Sequence, residues 1–220
     1  EAYKDTDSQF PPINGDLDFA ATGLCLGRQM YQRRRIVKKK LSVEDLDING
    51  RRILMRVDFN VPLEAGKVAN DKRIKAALPT IKYIAAKGGK LVLMSHLGRP
   101  KGSRVAEMSL RPCVAVLSGL LGKDVAFVDD CTGEAVETAA SGLNDGDVLL
   151  LENLRYYKQE TDNDSEFAGK LGKLGDLYVN DAFGTAHRDN ASMYTVPAVM
   201  EGKPRVSGFL IEKELKTLSI

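Results

Sequence analysis

Four short segments concentrate the side chains of this sequence that could do chemistry. They are Asp58-Phe59-Asn60, His96-Leu97-Gly98-Arg99, Glu152-Asn153-Leu154-Arg155 and Asn180-Asp181-Ala182-Phe183-Gly184-Thr185-Ala186-His187-Arg188. Both histidines of the chain and three arginines (Arg99, Arg155, Arg188) fall within them, and Arg56 and Arg73 flank the first. A single arginine in such a place is ordinarily just solvated. Four or five brought together would repel one another unless a polyanion neutralised them. Planar guanidinium forks grip carboxylate and phosphate groups bidentately. The set therefore points to a small ligand carrying several negative charges.

Every one of these segments directly follows an apolar run. Arg52-Ile53-Leu54-Met55-Arg56-Val57 reads as a short buried strand, and similar runs occupy residues 90–95, 125–128, 147–151 and 177–179. Near-continuous apolar runs of this length suit strands covered on both faces. Between them lie stretches with helical spacing: residues 74–86, with Ile74, Leu78, Ile81 and Ile84 on one face, then Ser109 through Gly122, a segment opening at Thr132 and closing at Gly142, and residues 165–174. Pro79 is awkward inside the first of these and is expected near its first turn, where the missing N–H does no harm. Residues 203–207 add a last strand and residues 208–220 a last helix. The alternation implies right-handed βαβ units and an α/β fold, a Rossmann-like parallel β-sheet flanked by helices. In such sheets ligands bind beyond the carboxyl ends of the strands, which is where all four segments fall.

Several chemistries are excluded. No GxxxxGK[ST] loop exists, because Gly98-Arg99-Pro100-Lys101-Gly102-Ser103 has the wrong spacing, and Asp58-Phe59-Asn60-Val61-Pro62 stands where a GxGxxG turn would follow the first strand. There is no Gly-x-Ser-x-Gly elbow and no evident Ser/His/Asp or Cys/His nucleophile set. The three cysteines (Cys25, Cys113, Cys131) form neither a disulfide framework nor a CxxC pair, and two histidines cannot build a His-rich metal site. With 43% hydrophobic and 28% charged residues over 220 positions, the composition is that of a globular chain able to bury roughly 70% of its unfolded surface. No run of 18 apolar residues occurs, so a soluble protein of a reducing compartment is expected.

Residues 1–40 stand apart. They hold eight Lys/Arg and five Asp/Glu, a net of +3, mostly in Arg28 and the run Arg33-Arg34-Arg35-Ile36-Val37-Lys38-Lys39-Lys40. Such a run can bind nucleic acid or acidic lipid or serve as a localisation signal, and the plainest reading is a solvated tail. Asp5, Asp7, Asp16 and Asp18 argue against a simple organelle transit peptide.

Taken together, the loops resemble the signature segments of phosphoglycerate kinases. The segments that carry the likeness are Arg56-Val57-Asp58-Phe59-Asn60-Val61-Pro62-Leu63, Asn70-Asp71-Lys72-Arg73-Ile74, Leu78-Pro79-Thr80-Ile81, Ser95-His96-Leu97-Gly98-Arg99-Pro100-Lys101-Gly102, Leu151-Glu152-Asn153-Leu154-Arg155 and Asp181-Ala182-Phe183-Gly184-Thr185-Ala186-His187-Arg188. Gly208-Phe209-Leu210-Ile211-Glu212-Lys213-Glu214-Leu215 is similar to the helix that leaves the family's N-terminal domain. The resemblance implies reversible phosphoryl transfer between ATP and the carboxylate of 3-phosphoglycerate, giving 1,3-bisphosphoglycerate. It implies two Rossmann-like domains, of which this chain matches the phosphoglycerate-binding one. ATP or ADP with Mg²⁺ is then expected on a C-terminal domain outside this sequence, so no metal ligand and no nucleotide-binding residue is assigned within it. The expected division is a basic N-terminal extension over residues 1–40, read as disordered, a substrate-binding domain over 41–207, and the start of a hinge helix over 208–220.

Site roles carry over by position. Asp58 and Asn60 are expected to hydrogen-bond the substrate's C2 hydroxyl. His96, Arg99, Arg155 and Arg188 are expected to hold the 3-phosphate, with His187 either assisting or packing locally. Arg56 is expected at the pocket floor near the carboxylate end, and Arg73 is expected to be the catalytic arginine. Three readings compete: part of an active kinase, a catalytically inactive stand-alone phosphoglycerate-binding module, or an unrelated Rossmann-like protein whose basic tail binds nucleic acid. The resemblance favours a monomer with no membrane partner, in the cytoplasm or in an organelle such as a plastid.

Overall fold

The computed structural model describes residues 42–185 and 189–218. The basic extension, His187 and Arg188 lie outside the described residues. Six parallel strands form the central sheet: β1 (Arg52–Arg56), β4 (Lys90–Met94), β5 (Ala126–Val128), β6 (Val148–Leu151), β7 (Leu177–Asn180) and β8 (Arg205–Ser207). Their spatial order is β5-β6-β4-β1-β7-β8. Between β1 and β4 the chain makes a small antiparallel hairpin, β2 (Leu63–Glu64) and β3 (Lys67–Val68), turning through Ala65 and Gly66 at φ 47° and 72°. The helices are α1 (Lys72–Ala86), α2 (Arg111–Leu121), α3 (Glu134–Ser141), α4 (Lys158–Thr161), α5 (Ser165–Gly172), α6 (Thr195–Val199) and α7 (Phe209–Leu218). The expected α/β architecture is present, and the hairpin, α4 and α6 are additions to it.

Alternation along the strands divides the core into two layers. Ile53, Met55, Leu91, Leu93, Leu150 and Val179 face Ile74, Ile81 and Ile84 of α1 and Cys113 and Leu117 of α2. Leu54, Val92, Met94, Leu149 and Tyr178 face Val136 of α3 and Phe167 and Leu171 of α5. A residue step of two puts each set on its own face, and helices cover both.

One expectation needs correction. Pro79 is not in the first turn of α1, because the helix begins at Lys72 and the proline sits in its interior. Lys75 and Pro79 are both exposed, so the Lys75 carbonyl that loses its N–H partner is open to water. Burial of Ile74, Ala77, Ile81 and Ile84 on the other face outweighs the roughly 3 kcal/mol penalty of an interior proline. At α2 and α3 the N-cap positions fall one residue later than expected, on Leu110 and Gly133. The Ser109 hydroxyl accepts from the Arg111 N–H at 3.1 Å at the start of α2, and Gly122 ends that helix in the left-handed region at φ 71°.

Order of the central strands places a change of chain direction at β1. From β1 the chain moves to β4 on one side, and only later to β7 on the other. The loops leaving β1, β4, β6 and β7 therefore meet along one rim of the sheet. On that rim the first N–H groups of α7 are met by neighbours. Phe209 N–H donates to Thr80 Oγ1 at 3.0 Å, and Leu210 and Ile211 N–H donate to Asp181 Oδ1 at 2.9 and 3.4 Å. The last helix is thus tied to α1 and to the end of β7 by its orphan donors.

Two outcomes follow from this packing. A Cβ at Gly175 would lie 2.6 Å from Leu54 Cβ, 2.9 Å from Leu54 N and 3.0 Å from the Leu177 carbonyl oxygen. Backbone cannot yield there, so Gly175→Ala should destabilise the fold by about 1–3 kcal/mol, read as a lowered midpoint in thermal or urea unfolding. Burial pushes the Asp181 carboxyl up to about 6, against the pull of Thr80, Ile211 and Leu210 and with help from Glu212. The fold therefore favours the protonated acid. That contribution is whole below the ordinary aspartate range near 4 and is lost as pH rises through about 6. Relative to wild type, Asp181→Asn should gain on the order of 2–3 kcal/mol between pH 4 and pH 7.5, and parallel stability curves for the two proteins would contradict it.

Candidate functional site

The site is held together first by Asn153, which is fully buried just after β6. Its Nδ2 donates to the carbonyls of Leu97 at 2.7 Å and Met108 at 2.8 Å, and its Oδ1 accepts from the N–H groups of Leu97 at 3.2 Å and Arg155 at 3.0 Å. All four hydrogen-bonding positions of the amide are filled. The loop after β4 is thereby fixed to the loop after β6. Neighbouring Glu152, also buried, accepts from Ser109 Oγ at 2.6 Å and from the N–H groups of Leu110 at 2.8 Å and Asn153 at 2.7 Å. It anchors the start of α2 to the same junction.

The loop after β1 joins from the other side. Phe59 N–H donates to Ser95 Oγ at 2.8 Å, and Gly98 N–H donates to Asn60 Oδ1 at 2.9 Å. Gly98 takes φ 65°, and a Cβ there would lie 2.8 Å from Met108 Sδ. The left-handed φ favours glycine at this turn, and any larger residue would also push the Met108 side chain aside.

Two of the hollows among the described residues are lined by the expected site residues. The larger, about 380 Å³, is lined by Arg99, Lys101, Gly102, Arg155, Lys158, Thr161 and Asn190. Four of these are cationic and none is acidic. Among the described residues neither Arg99 nor Lys101 takes part in an ion pair. Arg155 is nearly buried and donates through Nη1 to the Gly98 carbonyl at 2.8 Å. The smaller hollow, about 220 Å³, is lined by Asp58, Arg73, Ala76, Phe183, Gly184, Leu210 and Glu214. There Arg73 Nη1 lies 2.5 Å from Asp58 Oδ2, with the arginine side chain half exposed and the aspartate mostly buried. The bond from Gly98 to Asn60 links the loops that flank the two hollows.

The expected site residues divide by place. Arg99 and Arg155 meet at the larger hollow, and Asp58 and Arg73 at the smaller. His96 and Arg56 lie beneath, each 1% exposed. Arg56 directs Nη2 to His96 Nδ1 at 3.0 Å, Nε to Ser192 Oγ at 2.9 Å and Nη1 to the Val57 carbonyl. Since a guanidinium can only donate, Nδ1 must accept, which leaves the imidazole proton on Nε2. Arg188 and His187 lie outside the described residues. Lys101, Lys158, Thr161 and Asn190 were not anticipated as site residues. Lys101 stands inside the His96–Lys101 motif and could have been included on that signal, whereas nothing in the local sequence marks Lys158, Thr161 or Asn190.

Nucleophilic cysteine chemistry is disfavoured by the environment of the described thiols. Burial, with Glu152 adding to it, pushes Cys113 up to about 12, and burial with nearby carboxylates pushes Cys131 up as well. Among the described residues no three His, Cys, Asp or Glu side chains converge to hold a metal, and no helix is long and apolar enough to cross a membrane.

This rim, cationic and built from four strand-end loops, sits on a fold shared with known proteins. The chain superposes on the structure of phosphoglycerate kinase from Coxiella burnetii with a TM-score of 0.73 and 37% identity, over 82% of this chain and 44% of that one. For phosphoglycerate kinase from Pyrococcus horikoshii the values are 0.72 and 36%, over 81% and 44%. In sequence it is 53% identical over 173 residues to the phosphoglycerate kinase of Borrelia hermsii, covering 79% of this chain and 43% of that protein. It is 52% identical over 179 residues to that of Moorella thermoacetica, covering 81% and 45%. The chain thus spans less than half the length of these relatives. A family model for phosphoglycerate kinase matches residues 43–220, the stretch that carries every loop of the rim, and the chain accordingly belongs to the phosphoglycerate kinase family.

Proposed function

We propose that this rim is the phosphoglycerate half-site of a kinase that moves a phosphoryl group reversibly between ATP and the carboxylate of 3-phosphoglycerate. The observation that carries the reading is the larger hollow, which Arg99, Lys101, Arg155 and Lys158 line with no acidic lining residue. Such a cavity is relieved of repulsion by a phosphate. In this reading the 3-phosphate sits against Arg99 and Arg155, joined by Arg188 and by His96 through Nε2. Asp58 and Asn60 orient the C2 hydroxyl, and the carboxylate points toward Arg73. Arg56 acts from beneath, through His96. The substrate-binding domain comprises residues 41–207, and residues 208–220 begin the hinge helix.

No general base is needed. A carboxylic acid with a pKa of about 4 is already ionised at neutral pH, so its oxygen attacks without losing a proton. What this chain must supply is position and charge neutralisation. Arg73 is the residue suited to the reacting end. Half of the Arg73 side chain lies in water, so its guanidinium can turn from Asp58 toward a more highly charged phosphoryl oxygen. An arginine so placed contributes roughly 10³–10⁵ in rate in other phosphoryl transfers.

The described residues do not fit a magnesium nucleotide: they hold no convergent trio of metal ligands, and the sequence lacks a glycine-rich phosphate loop. The reading assigns the nucleotide to the part of the family's length that this chain does not span. A stand-alone binding module would use the same half-site without turnover.

Calorimetric titration of 3-phosphoglycerate into the 220-residue chain should give a single site whose affinity falls as salt is raised. Arg99→Ala should weaken binding by about ten-fold or more, the loss of a charge-assisted hydrogen bond. Asp58→Ala should weaken it as well. Arg73→Ala should leave affinity within a few-fold while abolishing turnover in the whole kinase. A silent wild-type titration would overturn the assignment of the half-site, and loss of binding in Arg73→Ala would move that arginine into the ground-state cradle.

A further inference from the structure

Behind the larger hollow runs a line of buried polar side chains that the proposed chemistry does not use. Glu160, on α4, is fully buried. Its Oε1 accepts from Ser192 Oγ at 2.6 Å and its Oε2 accepts from Ser192 N–H at 2.9 Å. Its own carbonyl accepts from Ala191 N–H at 2.9 Å. Ser192, also fully buried, accepts on Oγ from Arg56 Nε at 2.9 Å, and its carbonyl accepts from Tyr178 Oη at 2.8 Å. Arg56 then reaches His96 Nδ1 at 3.0 Å.

The chemistry of these groups gives the line one direction. Arg56 can only donate, so the Ser192 hydroxyl must send its single proton to Glu160 and His96 must accept on Nδ1. A buried cation and a buried anion thus balance each other across one hydroxyl. Burial pushes the Glu160 carboxyl up, while Arg56 and Ser192 pull it back. The line also touches both walls of the hollow. Lys158 and Thr161 flank Glu160 on α4 and line the cavity, and so does Asn190, whose segment Glu160 clamps.

We propose that Glu160 and Ser192 are positioning residues of the anion site: the Glu160 carboxylate, acting through the Ser192 hydroxyl, aims Arg56 and so holds His96 in its Nε2–H tautomer. The proposal rests on the phosphoglycerate reading for its effect on binding, and on the hydrogen-bond line alone for its effect on His96.

The test uses the 220-residue chain labelled with ¹⁵N-histidine, with ring resonances assigned against a His187→Gln variant. In the wild type the His96 ring should give the pattern of a single Nε2–H tautomer. Ser192→Ala, which keeps the backbone N–H bond to Glu160, and Glu160→Gln, which keeps its shape, should each move that pattern toward a mixture of tautomers. Each should also weaken 3-phosphoglycerate binding by about ten-fold. If Glu160→Gln does not fold, Ser192→Ala decides. A folded Ser192→Ala protein with an unmoved His96 pattern would overturn the proposal, as would a wild type already in the Nδ1–H form. A wild type that binds no 3-phosphoglycerate would sink the substrate reading, while the tautomer measurement would still judge the role of Glu160 and Ser192.

Discussion

Arg99, Lys101, Arg155 and Lys158 share one cavity, and the repulsion among them is the constraint that shapes the rim. Carboxylates at the site could relieve it, but they would compete with any anionic ligand. The fold relies on neutral anchoring of the backbone. Asn153 fills all four of its hydrogen-bonding positions with main-chain groups from the loops after β4 and β6, so the segments bearing Arg99 and Arg155 cannot drift apart. Of the acidic groups that lie close, Glu152 and Glu160 are buried and turned to Ser109, Leu110 and Ser192, and exposed Asp162 pairs with Lys158 at 3.5 Å. No carboxylate lines the hollow itself.

The parallel sheet is what allows four loops to be tied in this manner. Strands β6, β4, β1 and β7 are adjacent and run the same way, so their carboxyl ends present backbone groups to one rim. Short side chains then suffice as cross-links: Ser95 to Phe59, Asn60 to Gly98 and Asp181 to Leu210. The last of these passes the same rim on to α7, whose first turn is secured by Asp181 and Thr80. Leu210 and Glu214 of α7 line the hollow beside Arg73. Any reorientation of that helix would therefore be felt at the Asp58–Arg73 pair before it reached the cationic hollow.

Legibility in the sequence followed how local each cause is. The strands could be read because apolar runs buried on both faces leave an unbroken signal, and the two ends of α2 because Ser109 and Gly122 act within a turn of where they stand. Arg99, Arg155 and Asp58 could be singled out because position after a strand is itself a local property, whereas Arg73, in the first turn of α1, was singled out only by the family resemblance. Pro79 misled, because the proline signal is local while the burial that overrides it comes from residues on the opposite face of α1 packed against the sheet. Lys158 and the Glu160–Ser192 link were not legible. The carboxylate and its hydroxyl partner are 32 residues apart, and neither belongs to a pattern that periodicity or turn chemistry would mark. Arg56 to Ser192 spans 136 residues. Only the folded arrangement brings such pairs together.

Arg56 and Arg73, close in the chain and chemically identical, show how environment separates two roles. Arg56 is 1% exposed, with its guanidinium directed to Ser192, Val57 and His96. Moving it would strand a buried charge, which in general costs several kcal/mol, so it is suited to holding a geometry and unsuited to changing partners. Arg73 has one short ion pair and half of its side chain in water. The exposed half of its side chain leaves it free to turn toward another anion, in contrast to Arg56. A site that must bind a polyanion firmly and also neutralise charge that appears only during reaction needs both kinds of arginine. The depth at which each strand-end loop leaves its guanidinium determines which kind it provides.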